Sequence, residues 1–161
     1  MTVSIEFTDS LYYTGPALTD DMVAAAELSL GRRLPRAYVE VLRIQNGGCP
    51  TRCCLPTSFE TSWARDHFEI SAIRGIGGPW GVDGDGPLSS RALIREWAYP
   101  DIGVVICDMP SGGHDAVMLD YRSQDREPQV TYIDEDRLPR VVAPTFASFV
   151  ESLRDCRDEA L

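Results

Sequence analysis

Lysine is missing from this chain of 161 residues, and all fifteen basic residues are arginines. This absence removes Schiff-base lysine chemistry and the phosphate-binding lysine of P-loop enzymes. The chain has only two histidines, and neither an H-E-x-x-H nor a G-x-S-x-G motif occurs. The sequence therefore offers no familiar catalytic motif.

Long apolar runs are also missing, and none approaches the ~18 residues that a membrane helix needs. The opening segment Met1-Thr2-Val3-Ser4-Ile5-Glu6 has no basic stretch followed by an apolar one, so we expect no signal peptide. We predict a cytoplasmic protein with no membrane partner, folded as a single domain over residues 1–161.

Basic charge is scarce relative to acidic charge. Fifteen basic residues face twenty-five acidic ones, which gives a formal net charge of −10. Direct nucleic-acid binding is disfavoured because phosphates attract the opposite sign. A basic protein partner suits this charge, since complementary fields speed encounter. Solubility alone is the other explanation.

The cysteines are odd in number: Cys49, Cys53, Cys54, Cys107 and Cys156. An odd count without a signal peptide argues against a disulfide framework. The run Cys49-x-x-x-Cys53-Cys54 raises a zinc site, but such a site needs four ligands. Neither His67 nor His114 lies at a motif spacing from these cysteines. We expect free thiols, buried or in loops, with no metal and no cofactor.

Helical periodicity marks both ends of the chain. Thr19 is a good N-cap for a helix that Gly31 would end. Residues 34–48 predict a short amphipathic helix, with Pro35 in its first turn and Asn46 and two glycines closing it. Ser89-Ser90 and Pro144-Thr145 predict the starts of two more helices, the second of them the last in the chain.

Alternating or continuous apolar segments predict strands at 67–74, 102–108, 114–121 and 128–134. The last three suggest an antiparallel meander, while residues 49–66 and 75–88 indicate loops. This order predicts an α+β fold, an antiparallel or mixed sheet with helices packed on one face.

The segment Leu34-Pro35-x-x-Tyr38-x-x-x-Leu42-x-x-x-Asn46-Gly47-Gly48 resembles the signature of the SUKH superfamily, also called the Smi/Knr-type family. Gly112-Gly113-His114-Asp115, Met118-Leu119-Asp120 and Phe146-x-x-Phe149 agree with it in order, so the similarity spans about residues 19–155.

The resemblance implies a bacterial immunity-type protein that binds and neutralises a secreted toxin, often a nuclease. Eukaryotic relatives are linked to regulation of cell-wall synthesis. The resemblance transfers no catalytic residue, and the sequence indicates no oligomeric state.

Candidate partner-binding residues combine one loop aromatic with acidic strand ends and turns. Trp80 lies between Pro79 and Gly81, where an aromatic side chain can anchor an interface. The predicted partner-binding residues are Trp80, Asp83, Asp85, His114, Asp115, Asp134, Glu135 and Asp136.

Three alternatives remain open. The first is a calcium loop at Asp83-Gly84-Asp85-Gly86, although its twelfth position is Ile94 rather than an acid. The second is an enzyme, built either on the acidic cluster with His114 or on Cys107 as nucleophile with His114 as base. The third is a small-ligand sensor or regulatory binding domain, which a deep pocket would favour.

Overall fold

The computed structural model describes residues 3–123 and 126–159, so Met1 and Thr2 of the opening segment lie outside the described residues. The helices are α1 (Asp20–Leu30), α2 (Arg36–Ile44), α3 (Ser90–Trp97), α4 (Phe146–Ser152) and α5 (Cys156–Glu159). The strands are β1 (Cys54–Pro56), β2 (His67–Glu69), β3 (Ala72–Ile73), β4 (Gly103–Val105), β5 (Cys107–Asp108), β6 (Ala116–Asp120), β7 (Gln129–Ile133) and β8 (Pro139–Ala143). The predicted α+β class is confirmed.

Three helix starts follow the predicted caps, whereas α2 begins after Pro35 and has Gln45 rather than Asn46 as its C-cap. The Thr19 hydroxyl accepts a hydrogen bond from the Met22 amide at 3.2 Å, and Gly31 ends α1 with a φ of 64°. Ser89 and Thr145 cap α3 and α4 in the same way. These side chains satisfy amide groups that the first helical turn leaves unpaired.

The main sheet has the strand order β4-β6-β7-β8, with antiparallel pairing throughout. The predicted meander is therefore confirmed, and β8 extends it. Two further two-stranded sheets pair β1 with β2 and β3 with β5. The segment predicted as one strand at 102–108 divides at Ile106, so that β4 joins the main sheet and β5 joins β3.

Helices cover both faces of the main sheet, so the prediction of a single covered face is wrong. Val117 and Leu119 of β6 belong to the larger core, with α2 and α4. Ala116 and Met118, which alternate with them, pack in a smaller core against Trp97 and its neighbours on α3. The cause is in β6 itself, because apolar side chains point to both sides of that strand.

A disulfide joins Cys54 to Cys156, and the expectation of five free thiols is wrong at this point. The Cys54 amide donates to the Arg154 carbonyl at 3.1 Å, and the Arg154 amide donates back at 2.7 Å. This pairing brings the end of the chain beside β1, across 102 residues of sequence. The odd count leaves Cys49, Cys53 and Cys107 as free thiols.

Candidate functional site

An aromatic cleft of about 360 Å³ opens beside α3, between the amino-terminal loop, the 75–88 loop and the turn after β5. Its aromatic lining residues are Tyr12, Tyr13, Trp80, Trp97 and Tyr99. Cys107, Asp108 and Asp115 also line it. Of the residues predicted to bind a partner, the cleft thus gathers Trp80 and Asp115.

Three rings form the outer wall of this aromatic cleft. The Trp80 ring centroid lies 5.0 Å from that of Tyr12 and 5.1 Å from that of Tyr13, and the two tyrosines are 4.8 Å apart. Tyr12 is 65% exposed. Ring faces carry partial negative charge, so such a cluster suits a cationic or apolar side chain from a partner.

Asp108 supplies the charge next to these rings. Its Oδ1 lies 3.6 Å from the Arg74 Nε, and its buried Oδ2 accepts no hydrogen bond from the described residues. Burial raises the pKa of Asp108, while the Arg74 guanidinium opposes that rise. The Asp108 side chain is 25% exposed although Oδ2 itself is buried, so the exposed part of this side chain, and not Oδ2, is what a bound partner can contact.

Arg74 positions the loop that carries Trp80. Its guanidinium is 1% exposed and donates to the carbonyl oxygens of Val105, Trp80 and Leu88. The Arg74 carbonyl accepts from the Tyr38 hydroxyl at 2.5 Å. The sequence analysis missed Arg74, although an arginine directly after the apolar Ala72-Ile73 pair was a usable signal.

The family-motif residues lie just before α2, on α2 and in the turn after it. They are buried without exception: Leu34, Pro35, Tyr38, Leu42, Asn46, Gly47 and Gly48. The Asn46 amide donates to the carbonyls of Pro16 and Ile76 at 2.7 Å each, and its Oδ1 accepts from the Ile76 amide. Asn46 thereby joins the amino-terminal loop to the glycine-rich loop.

Asp115 lies inside the protein rather than on an acidic rim. Its carboxylate accepts hydrogen bonds from the hydroxyls of Tyr132 at 2.7 Å and Ser111 at 2.6 Å. Burial and the Asp115 carboxylate together raise the pKa of Tyr132. Asp115 therefore fixes the base of the cleft, while neighbouring His114 is exposed and stacks edge-on against Trp97, with ring centroids 5.6 Å apart.

The three acidic residues 134–136 form a turn beside Trp97 and His114. Asp134 Oδ1 accepts from the amides of Asp136 and Leu138, so this carboxylate stabilises the turn. Glu135 and Asp136 are exposed. Arg137 joins the turn to the cleft wall, because its guanidinium donates to the carbonyls of Trp97 and His114.

Asp83 and Asp85 do not converge on a common ligand position. Asp83 Oδ1 accepts from the Gly77 amide at 2.8 Å, and Asp85 pairs with Arg91 at 2.9 Å. Both carboxylates are thus used within the Trp80 loop and its neighbour α3. In the described ranges, the metal-capable grouping consists of Cys53, Cys54 and Cys156.

The cleft contains a thiol, that of Cys107, next to the carboxylate of Asp108. Burial raises the pKa of Cys107 well above its usual value, which keeps the thiol protonated and unreactive. The cleft lining includes no histidine among the described residues. A nucleophilic cysteine needs a lowered pKa or a base that activates it, whereas the carboxylate of Asp108 adds to the rise in the pKa of Cys107.

A second, wider groove of about 760 Å³ runs between α1, α2 and the segment after β6. Four arginines line it: Arg32, Arg33, Arg36 and Arg126. Glu27 and Glu127 offset part of the charge of these arginines. The Arg32 guanidinium lies over the Tyr121 ring, with its Cζ 5.0 Å from the ring centroid. The groove suits acidic ligands, in contrast to the aromatic cleft.

A family model described as the SMI1 / KNR4 family (SUKH-1) matches residues 17–152. Neither the curated proteins nor the solved structures gave a match to the chain. Within the described residues, no helix has the length and apolar character needed to cross a membrane.

Proposed function

Because the chain belongs to the SMI1 / KNR4 family (SUKH-1), we propose that it is an immunity-type protein that binds and neutralises a toxin without catalysing a reaction. The observation that carries this proposal is the aromatic cleft, whose lining combines the Tyr12 and Trp80 rings with the Asp108 side chain. Aromatic side chains dominate the binding energy of many protein interfaces.

The chemistry of the cleft favours a basic partner, such as a nuclease domain. A lysine or arginine side chain can rest on the Trp80 and Tyr12 rings while it donates to Asp108. The exposed Glu135 and Asp136 and the net charge of −10 attract the same partner over a longer range. Direct nucleic-acid binding fits this surface poorly.

The same site supports the proposal of a non-catalytic role. Cys107 has a raised pKa, and Asp115 already accepts two hydrogen bonds within the fold. The Cys107 thiol is therefore a poor nucleophile, and the Asp115 carboxylate is already engaged within the fold. The alternative of an enzyme built on His114 and the acidic residues therefore receives no support from the geometry.

A small-ligand sensor is the second candidate, and the volume of the cleft favours it. About 360 Å³ falls within the range of roughly 300–1,000 Å³ for small-molecule pockets. A small organic cation would use the same rings and carboxylate as a partner's side chain. The two candidates differ in the size of the bound species, which makes them separable.

The test uses the product of the gene next to the one that encodes this chain, called the neighbour below, since immunity proteins are usually encoded next to their toxins. The neighbour is expressed in a bacterial host with the wild-type chain, Trp80→Ala, Asp108→Asn or the control Trp63→Ala. Trp63 is 45% exposed and lies outside the cleft lining, so it matches the chemistry of Trp80 without its position.

We expect the wild type and Trp63→Ala to rescue growth, and the two cleft variants to lose that rescue. The purified chains should show the same ranking in calorimetric binding to the neighbour. A toxic neighbour that the wild-type chain neither binds nor neutralises contradicts the proposal. Thermal stabilisation by a guanidinium-bearing small molecule, in the absence of protein binding, would establish the sensor instead.

A further inference from the structure

Three cysteines meet where the end of the chain returns to β1. Cys53 precedes β1, Cys54 begins it, and Cys156 begins α5. Their three sulfur atoms all lie within 4.8 Å of one another. The bond between Cys54 and Cys156 holds α5 against β1, together with the backbone pairing of Cys54 and Arg154.

Cys53 lies beside this bond as a free thiol. Its Sγ is 2.9 Å from the Sγ of Cys156. That separation is slightly shorter than the roughly 3–3.5 Å from which oriented groups react. Cys156 therefore has two neighbouring sulfurs within reach, one bonded to it and one free.

We propose that Cys53, Cys54 and Cys156 form a thiol–disulfide exchange site, in which Cys156 passes its bond between Cys54 and Cys53. Cys53 gives its proton to water, and the thiolate attacks the Cys156 sulfur. The Cys53–Cys156 bond forms as the Cys54–Cys156 bond breaks, and Cys54 leaves as a thiolate that takes a proton from water. Electrons are conserved, so no oxidant or reductant is consumed.

The two bonded states differ in the exposure of their free thiol, and reagents can detect this difference. Cys54 is buried at 1% exposure, whereas Cys53 and Cys156 are half-buried. When Cys54 holds the bond, the free thiol is the accessible Cys53. When Cys53 holds the bond, the free thiol is the buried Cys54. A small electrophile or disulfide that caps Cys53 therefore fixes the bond at Cys54.

The test is peptide mapping of the purified full chain. The sample is quenched in acid, which stops exchange by protonating thiolates, then unfolded, alkylated and fragmented between residues 53 and 54. We expect two linked species, Cys53–Cys156 and Cys54–Cys156, in the wild type and in the controls Cys49→Ser and Cys107→Ser. Capping Cys53 in the native protein before the quench should reduce the first species at least tenfold over time.

Two single variants make the result decisive. Cys54→Ser should form the Cys53–Cys156 bond, and Cys53→Ser should keep the Cys54–Cys156 bond alone. A wild type linked solely through Cys54, with Cys53 quantitatively alkylated after prolonged incubation, overturns the proposal whether or not Cys54→Ser folds. The proposal is also overturned if the three cysteines of the purified chain are all reduced and bind one equivalent of zinc.

Discussion

The Arg74 Nε lies 3.6 Å from Asp108 Oδ1, and this pair links the buried core to the aromatic cleft. Arg74 follows β3, Asp108 ends β5, and the two strands pair antiparallel. The guanidinium also donates to the Trp80 carbonyl. One buried cation therefore fixes both the carboxylate and the loop aromatic of the proposed binding site.

Arg74→Met should destabilise the fold by about 3 kcal/mol or more, because removing one partner of a buried ion pair leaves the other uncompensated. The substitution also leaves three carbonyl groups without their donor. Equilibrium denaturation in urea measures this loss. Arg36→Met is the matched control, since Arg36 pairs with Glu40 at the surface.

The control should lose less than about 1 kcal/mol, as exposed ion pairs contribute little. Equal stability of the two variants would show that the Arg74 pair does not hold the cleft loops together.

The pKa of Asp108, raised by burial, gives a pH dependence with a definite sign. The folded state holds the Asp108 proton to a higher pH than the unfolded state. The contribution of Asp108 to the free energy of unfolding therefore declines as the pH rises through the raised pKa. Urea denaturation at several pH values upward from about 4 should show this decline in the wild type and lose it in Asp108→Asn.

Asp120 supplies the opposite case for the same experiment. Burial would raise its pKa, but hydrogen bonds from Arg122 and Thr131 hold the pKa below its usual value. Its contribution is therefore lost as the pH falls through the lowered pKa. If Asp120→Asn and Asp108→Asn changed the pH profile in the same direction, the assignment for Asp108 would be wrong.

Caps and strong periodicity made α1 to α4 predictable. The short helix α5 and the short strands β1 and β8 lack such signals and were missed, so the helix that Thr145 caps is not the last in the chain as predicted. A single hydroxyl caps the start of each of three helices, at Thr19, Ser89 and Thr145. β1 has three residues and ends in a proline, so it resembles a loop in sequence. β8 begins with Pro139 at the edge of the sheet, a position that tolerates proline but carries no alternating pattern.

The site was predictable in part. Trp80 stood out as an aromatic residue in a glycine-rich loop, and it does line the cleft. Its ring neighbours Tyr12 and Tyr13 lie far away in sequence, and the Asn46 side chain helps to bring them together by hydrogen bonds to both loops. The Arg74–Asp108 pair depends on strand pairing, which composition and periodicity do not specify.

Glu135 and Asp136 should act on the rate of partner association. Opposite fields raise encounter rates by about 10- to 1,000-fold, and salt screens them over about 8–10 Å. Converting both to Gln and Asn should slow association and flatten its salt dependence, with little change in dissociation. Asp134 is left intact because it stabilises the turn.

The matched control removes two charges elsewhere, at Asp20 and Asp21 in the first turn of α1. Surface plasmon resonance over a salt series compares the association rates of the two double variants. Equal effects from both double variants would attribute the steering to net charge rather than to the acidic turn.

Trp80→Ala should act on dissociation instead. An aromatic anchor that becomes buried in a complex contributes about 2 kcal/mol or more, which corresponds to roughly 30-fold faster release. Association should change little, since the substitution leaves the charge unaltered. The same surface plasmon resonance measurement with Trp63→Ala should give wild-type kinetics. A wild-type dissociation rate for Trp80→Ala would show that the Trp80 ring does not lie in the interface.

The reactivity of Cys53 should rise with pH and with removal of the negative charge beside it. Burial, with the nearby carboxylates of Glu69 and Asp155 and the Cys49 thiol, raises the pKa of Cys53 to about 11. The reactive thiolate is therefore scarce at neutral pH. The rate of Cys53 alkylation should increase about tenfold per pH unit through the weakly alkaline range, well below the pKa.

Glu69→Gln tests the cause of that slow reaction. Each unit by which the pKa falls raises the thiolate fraction about tenfold but lowers its nucleophilicity about threefold, for a net gain of about threefold. Glu69 Oε1 lies 3.9 Å from the Cys53 sulfur, whereas the shift at Cys49 comes from burial and Asp108. Timed alkylation read by mass spectrometry should therefore show faster labelling of Cys53 and unchanged labelling of Cys49, and a parallel increase at both would point to a general loosening of the fold.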